Sequence, residues 1–104
     1  MNMPEPIIRL HDKLRELYGI RLQEVILYGS YARGTQTQQS DIDVAVVLDG
    51  NVKPGLEIDR MIDVVTDLNL EFDTLISVYP VSSVDYSSRQ SPLLINLRRE
   101  GIAA

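Results

Sequence analysis

The spacing of apolar residues along the chain predicts three helices. Between Glu5 and Tyr18 apolar residues recur at steps of three and four and Gly19 follows, so this stretch predicts an amphipathic helix. The same spacing predicts a second helix from the following residues: Ile58, Met61, Ile62, Val65 and Leu68. A third helix is predicted after Ser91-Pro92, because serine caps helices and proline suits a first helical turn, and it ends at Gly101.

Shorter apolar runs predict three strands: Leu22–Tyr28, Ile42–Leu48 and Leu70–Val81. The first two are rich in β-branched residues, whereas the third alternates apolar with polar positions. Residues 31–33 predict a short helical turn between the first two strands, and Gly34 closes it. The order of these elements predicts an α+β (α/β) fold, with a small mixed β-sheet and helices packed mainly on one face.

Length and composition predict one globular domain over residues 1–104. The apolar fraction of 44% and the charged fraction of 24% are those of an ordinary folded protein. The apolar runs fall far short of the ~20 residues that cross a bilayer, and the first residues lack the pattern of a signal peptide. We therefore expect a cytoplasmic protein.

Charge and residue usage narrow the possible chemistry. The chain has no cysteine and one histidine, which excludes disulfides and cysteine-ligated zinc, so a metal ion would be held by oxygen atoms. The formal net charge of −5 argues against broad binding to a nucleic-acid backbone, which needs clustered lysine and arginine. A basic protein partner suits this charge better.

The chemistry-bearing segment consists of Gly29-Ser30, ten further residues, and Asp41-Ile42-Asp43 at the start of the second strand. Residues i and i+2 of a strand point to one face, so the two carboxylates stand side by side and a divalent cation would relieve their repulsion. Gly29 lets the backbone approach closely, and Ser30 offers a hydroxyl and N–H groups at the start of a short helix. This spacing suits the handling of a nucleoside triphosphate.

A third carboxylate from an adjacent strand would complete a site for two divalent ions about 3.5–4 Å apart. Asp73 is the best candidate, because it lies near the start of the predicted third strand, whereas three other aspartates mark an exposed helix face: Asp59, Asp63 and Asp67. Oxygen-only ligands favour magnesium or manganese. The glycine motifs of P-loop and dinucleotide-binding proteins are absent.

The pattern Gly29-Ser30-x10-Asp41-x-Asp43 resembles the signature of the DNA polymerase β-like nucleotidyltransferase superfamily. The small size resembles its minimal nucleotidyltransferase (MNT) group, the antitoxins of HEPN/MNT toxin-antitoxin pairs. The resemblance implies these site residues: Asp41, Asp43 and Asp73 as catalytic metal ligands, and Gly29, Ser30, Arg33 and Ser40 as nucleotide contacts. Thr74 departs from the pattern, since an apolar residue is more usual after the third aspartate.

The resemblance also implies a function. We expect a Mg²⁺-dependent enzyme, with two ions, that transfers AMP from ATP to a hydroxyl, such as a tyrosine, of a HEPN ribonuclease toxin. The sequence shows no separate acceptor-binding region, which fits a protein acceptor. The rival hypothesis is an antitoxin that neutralises the toxin by binding alone, and a weaker one is nucleotide transfer to an antibiotic or to RNA.

Overall fold

A computed structural model describes residues 3–104, so Met1 and Asn2 of the predicted domain lie outside the described residues. The helices are α1 (Glu5–Tyr18), α2 (Ser30–Arg33), α3 (Pro54–Phe72), α4 (Ser83–Ser88) and α5 (Pro92–Glu100). The strands are β1 (Leu22–Tyr28), β2 (Ile42–Leu48), β3 (Ile76–Ser82) and β4 (Ile102–Ala103). No helix in this part of the chain combines the length and the apolar character that a membrane crossing requires.

The four strands form one mixed sheet in the order β3-β2-β1-β4. β1 is antiparallel to both β2 and β4, whereas β2 and β3 are parallel and are joined through α3. Parallel neighbours need such a crossover, because a tight turn reverses the chain direction. The mixed sheet with helices confirms the predicted α+β fold class.

Apolar side chains cover both faces of β2, which is buried from Val44 to Leu48. Alternate strand residues point to opposite faces, so β2 contributes to two cores. The larger core joins α1 and α3 to one face and includes Ile7, Leu10, Leu14, Val44, Val46, Met61 and Val65. The smaller core lies on the other face, under α4 and α5, and includes Ile26, Ala45, Val47, Val81, Leu94 and Leu97. The two long helices thus share one face, as predicted.

The predicted third strand was wrong over residues 70–75. α3 continues to Phe72, and Asp73 ends it in the left-handed conformation with φ of 48°. The N–H of Asp73 donates to the carbonyl of Asn69, and the side-chain oxygen of Asn69 accepts from the N–H of Ile76 at 2.8 Å. These bonds close the helix and start the strand three residues after Asp73. The alternating apolar and polar residues of this segment therefore form a helix end and a turn rather than a strand.

α3, the second of the predicted helices, buries a different face from the one predicted. The predicted apolar stripe included Ile58 and Ile62, which are 36% and 50% exposed. Glu57, which lies outside the predicted stripe, is instead only 2% exposed. A buried carboxylate requires hydrogen-bonding partners, and Glu57 has them in Tyr18, Arg21 and Arg60.

Candidate functional site

Asp41 and Asp43 lie at the start of β2, where the sequence places them. Asp41 is exposed directly before the strand, and Asp43 is half-buried on the sheet face that carries the smaller core. Burial is the largest cause that raises the pKa of Asp43 above its ordinary value, the negative charge of Asp41 raises it further, and Arg33 lowers it. The two carboxylates therefore act on each other as a like-charge pair.

Gly29 forms a turn whose backbone lies directly against the Asp43 carboxylate. It precedes α2 with φ of 71°, a conformation that side-chain-bearing residues rarely adopt. A Cβ atom at Gly29 would overlap the Oδ2 atom of Asp43. The sequence predicts a close backbone approach to a phosphate at Gly29, which stays a prediction, and the structure shows a close approach to the Asp43 carboxylate instead.

We expect Gly29→Ala to lose both stability and nucleotide binding. The backbone conformation alone, with φ of 71° and ψ of −149°, costs an alanine about 1–3 kcal/mol, and the added methyl group would also displace the Asp43 carboxylate. Gly19→Ala is the matched control, because Gly19 has a similar backbone conformation (φ of 59° and ψ of −132°, against 71° and −149° at Gly29) but an added Cβ there would meet no heavy atom within 4 Å. Thermal unfolding and calorimetric titration with an ATP analogue measure the two effects. Equal nucleotide binding by the two variants would contradict the assignment.

Arg33 and Ser40 lie near the carboxylate pair, since Arg33 lowers the pKa of Asp43 and Ser40 directly precedes Asp41. Arg33 ends α2, and its guanidinium is 3.5 Å from a carboxylate oxygen of Glu100. The hydroxyl of Ser40 accepts a hydrogen bond from the N–H of Thr37 at 2.9 Å, which shapes the loop before Asp41. The nucleotide-binding roles of Gly29, Ser30, Arg33 and Ser40 stay predictions.

The predicted placement of Asp73 in a strand beside Asp43 is wrong. It is exposed at the end of α3 and lines a hollow of about 270 Å³ together with Ser40 and Asp41. Across residues 3–104, no three histidine, aspartate or glutamate side chains lie close enough together to hold a metal ion. The role of Asp73 as a third metal ligand stays a prediction.

Sequence reasoning missed the side chains that flank Asp43 across the sheet. Tyr28 of β1 and Ser77 of β3 are its direct partners in strand register. Burial is the largest cause that raises the pKa of Tyr28, and the charges of Asp43 and Tyr79 raise it further. The signal for these neighbours was the alternation within each strand, but the register that aligns the strands depends on the folded sheet.

The chemistry of the carboxylate pair suits a divalent cation. Mg²⁺ is commonly held by one or two protein carboxylates together with phosphate oxygens of the substrate. Asp41 and Asp43 would be these two carboxylates. A cation between them would also remove the repulsion that raises the pKa of Asp43. These residues therefore fit Mg²⁺, with the triphosphate completing the ligands.

A mixed sheet that sets a pair of aspartates against a glycine turn defines the class of small nucleotidyl-transfer domains. The chain belongs to the nucleotidyltransferase domain family, whose family model matches residues 7–91. The predicted family and the predicted enzyme class are thus confirmed.

Two relatives in Methanocaldococcus jannaschii share about a third of their aligned residues with this chain. "Putative protein adenylyltransferase MJ0604" is 36% identical over 77 residues, which are 74% of this chain and 71% of the relative. "Putative protein adenylyltransferase MJ1379" is 36% identical over 78 residues, 70% of this chain and 76% of the relative. The similarity therefore spans most of both relatives.

Solved structures share the fold. A toxin-antitoxin structure with AMP-PNP superimposes with a TM-score of 0.59 and 26% identity, over 90% of this chain and 68% of that one. A mutant of the toxin-antitoxin MntA-HpeT gives a TM-score of 0.61 at 19% identity, over 89% of this chain and 67% of that one. At that identity the second comparison supports the fold alone.

Proposed function

We propose that this protein is a Mg²⁺-dependent adenylyltransferase that modifies a toxin. It transfers AMP from ATP to a hydroxyl, with tyrosine as the expected acceptor, of a HEPN-type ribonuclease, and it acts as the antitoxin in the cytoplasm. The observation that carries the proposal is the Asp41–Asp43 pair against the Gly29 turn. Relatives named protein adenylyltransferase and a toxin-antitoxin neighbour solved with an ATP analogue support the nucleotide and the partner.

In the proposed reaction the acceptor oxygen attacks the α-phosphorus of ATP. The bond from the α-phosphorus to the oxygen that leads to the β-phosphate breaks, pyrophosphate leaves, and the acceptor gives up its proton. Asp41 and Asp43 would hold the cation, while Ser30 and Arg33 donate to the phosphate oxygens. When bound, the cation neutralises charge on the phosphate and favours the ionised acceptor. Asp73, which shares a hollow with Asp41, is the predicted proton acceptor.

The surface charge supports a protein acceptor. Acidic residues number 15 against 10 lysines and arginines, so the chain repels a free nucleic-acid backbone and attracts a basic surface. A ribonuclease must carry positive charge where it binds RNA. Complementary charge would speed the encounter of the two proteins, and high salt would slow it.

Two samples of labelled ATP test the proposal. The protein, Mg²⁺ and the ribonuclease encoded beside it are incubated with ATP labelled at either the α- or the γ-phosphate. We expect the α-label on a tyrosine of the ribonuclease and the γ-label released in pyrophosphate, with both signals abolished by a chelator. The same ribonuclease with its labelled tyrosine changed to phenylalanine is the control.

Each contrary outcome selects a different function. Transfer of the γ-label to the ribonuclease would indicate phosphoryl transfer instead. Full inhibition of the ribonuclease without transfer of either label would support neutralisation by binding alone.

A further inference from the structure

The register between β2 and β3 identifies the side chain directly beside Asp43. The strands are parallel, and Asp43 pairs with Ser77. Paired residues of neighbouring strands point to the same face and lie about 4.8 Å apart at the backbone. Tyr79 and Val81, at alternate positions after Ser77, contribute to the core under α4 and α5. Ser77 therefore faces the same side as Asp43.

The opposite neighbour of Asp43 also carries a hydroxyl. Tyr28 of β1 pairs with Asp43 in the antiparallel register, so a row of Tyr28, Asp43 and Ser77 crosses three strands. Ser77 is exposed, and Tyr28 is half-buried and aromatic. Of the two neighbours, Ser77 thus has the accessible oxygen.

Asp73 approaches the carboxylate pair from a different direction. It leaves the end of α3 three residues before β3 begins, and the hollow that it lines contains Asp41 but not Asp43. Strand register therefore assigns the place across from Asp43 to Ser77 rather than to Asp73.

We infer that Ser77 is the third protein oxygen facing the carboxylate pair, so that a divalent cation binds this chain weakly until a triphosphate supplies further oxygens. The inference rests on one part of the proposed function, which is the binding of the cation by Asp41 and Asp43. Affinity for hard cations rises with the number of charged ligands, and a hydroxyl adds an oxygen without a charge. Ser77 makes the binding of metal and nucleotide interdependent.

Binding of Mn²⁺ alone tests this inference without any transfer reaction. We expect Ser77→Asp to tighten Mn²⁺ binding in the absence of nucleotide by about tenfold or more, because it adds a third charged ligand. Thr66→Asp is the matched control, since it adds the same charge on the exposed side of α3, which packs on the other sheet face. Adding AMP-PNP should tighten Mn²⁺ binding to the wild-type protein. Equal effects of the two aspartate variants would overturn the inference.

A second test replaces one residue by cysteine and measures the binding of Cd²⁺. This test adds no further carboxylate to the site. The chain has no cysteine, so a thiolate-to-cadmium absorption band arises only from the introduced residue. We expect Ser77→Cys to develop this band at a Cd²⁺ concentration about tenfold or more below that required by Asp73→Cys, since thiolate and carboxylates would share the ion. The reverse order would assign the third position to Asp73 and overturn the inference.

The metal titrations separate this inference from the proposed function. Expected titrations together with a failure to label any acceptor would refute the transfer reaction and leave Ser77 at the site. Normal AMP transfer with unchanged Mn²⁺ binding in Ser77→Asp would refute the inference and leave the function.

Discussion

Changing Asp41 and Asp43 together to asparagine should lower AMP transfer about a thousandfold or more, because catalysis of this kind depends on charge stabilisation at the phosphate. Asparagine keeps the size of each side chain and removes its negative charge. The backbone turn at Gly29 and the sheet register would remain, so binding to the protein partner should persist. Initial rates of α-label transfer and a pull-down with the same partner measure the two properties.

Stability provides the control for this pair of substitutions. The pKa of Asp43 is raised in the folded protein, so the folded state binds the proton more tightly than the unfolded state does. Stability therefore falls as pH rises from the ordinary aspartate pKa through the raised folded value, because ionising Asp43 is opposed mainly by its burial and then by the charge of Asp41. In the absence of metal, Asp43→Asn should be at least as stable as the wild-type protein at neutral pH, and the difference should shrink on acidification.

Two outcomes would contradict the catalytic assignment. Transfer within a few-fold of wild type in the double variant would place the reaction elsewhere on the protein. A double variant that melts well below the wild-type temperature at neutral pH would mean that the carboxylates stabilise the fold, and the loss of activity would then have a structural cause.

The sequence predicts the elements around the site well, because local signals agree there. The bounds of α1, β1 and β2 match the predicted ones. At each of these elements the apolar spacing, the residue types and an adjacent glycine or aspartate all favour the same assignment. The approach of Gly29 to Asp43 was not predicted, because it follows from the strand register that pairs Tyr28 with Asp43.

The wrong predictions concern residues whose structure depends on contacts between distant segments. The end of α3 requires the side chain of Asn69 to accept from Ile76 and Asp73 to adopt a left-handed conformation, and neither appears in the apolar spacing. Likewise, Asp43 and Ser77 are aligned through the crossover of α3, so no local pattern shows that Ser77 rather than Asp73 lies beside Asp43. The wrong placement of Asp73 in a strand thus follows from a misjudged helix end.

Glu57 is another position that only tertiary structure explains, and its removal should cause a large loss of stability. One carboxylate oxygen accepts from the hydroxyl of Tyr18 at 3.0 Å, and Arg21 and Arg60 approach the carboxylate at 3.4 Å each. Arg21 also donates to the carbonyl of Asp49 at 2.9 Å, which ties the turn between α1 and β1 to the segment after β2. The network lies at the end of β2 opposite to the carboxylate pair.

We expect Glu57→Ala to lower the free energy of unfolding by about 2–4 kcal/mol, because it leaves the partly buried hydroxyl of Tyr18 without its carboxylate acceptor and removes the charge that both arginines pair with. Glu57→Gln keeps an acceptor for Tyr18 and should lose less. Glu71→Ala is the matched control, since Glu71 pairs with Arg9 at 3.0 Å on the surface and such pairs contribute about 0–1 kcal/mol. Urea denaturation ranks the three variants, and equal losses for Glu57→Ala and Glu71→Ala would contradict the network.

Alkaline titration gives this network a second, independent readout. Burial first, then the hydrogen bond with Glu57 and its charge, raise the pKa of Tyr18 from 10.0 to about 12. A raised folded pKa means that the protonated phenol stabilises the fold below pH 10, and that this contribution is lost as pH rises toward 12. Because Glu57→Gln removes the charge, it should lower the pKa of Tyr18 and shrink this loss. An unchanged phenol titration in Glu57→Gln would mean that the two side chains do not interact in solution.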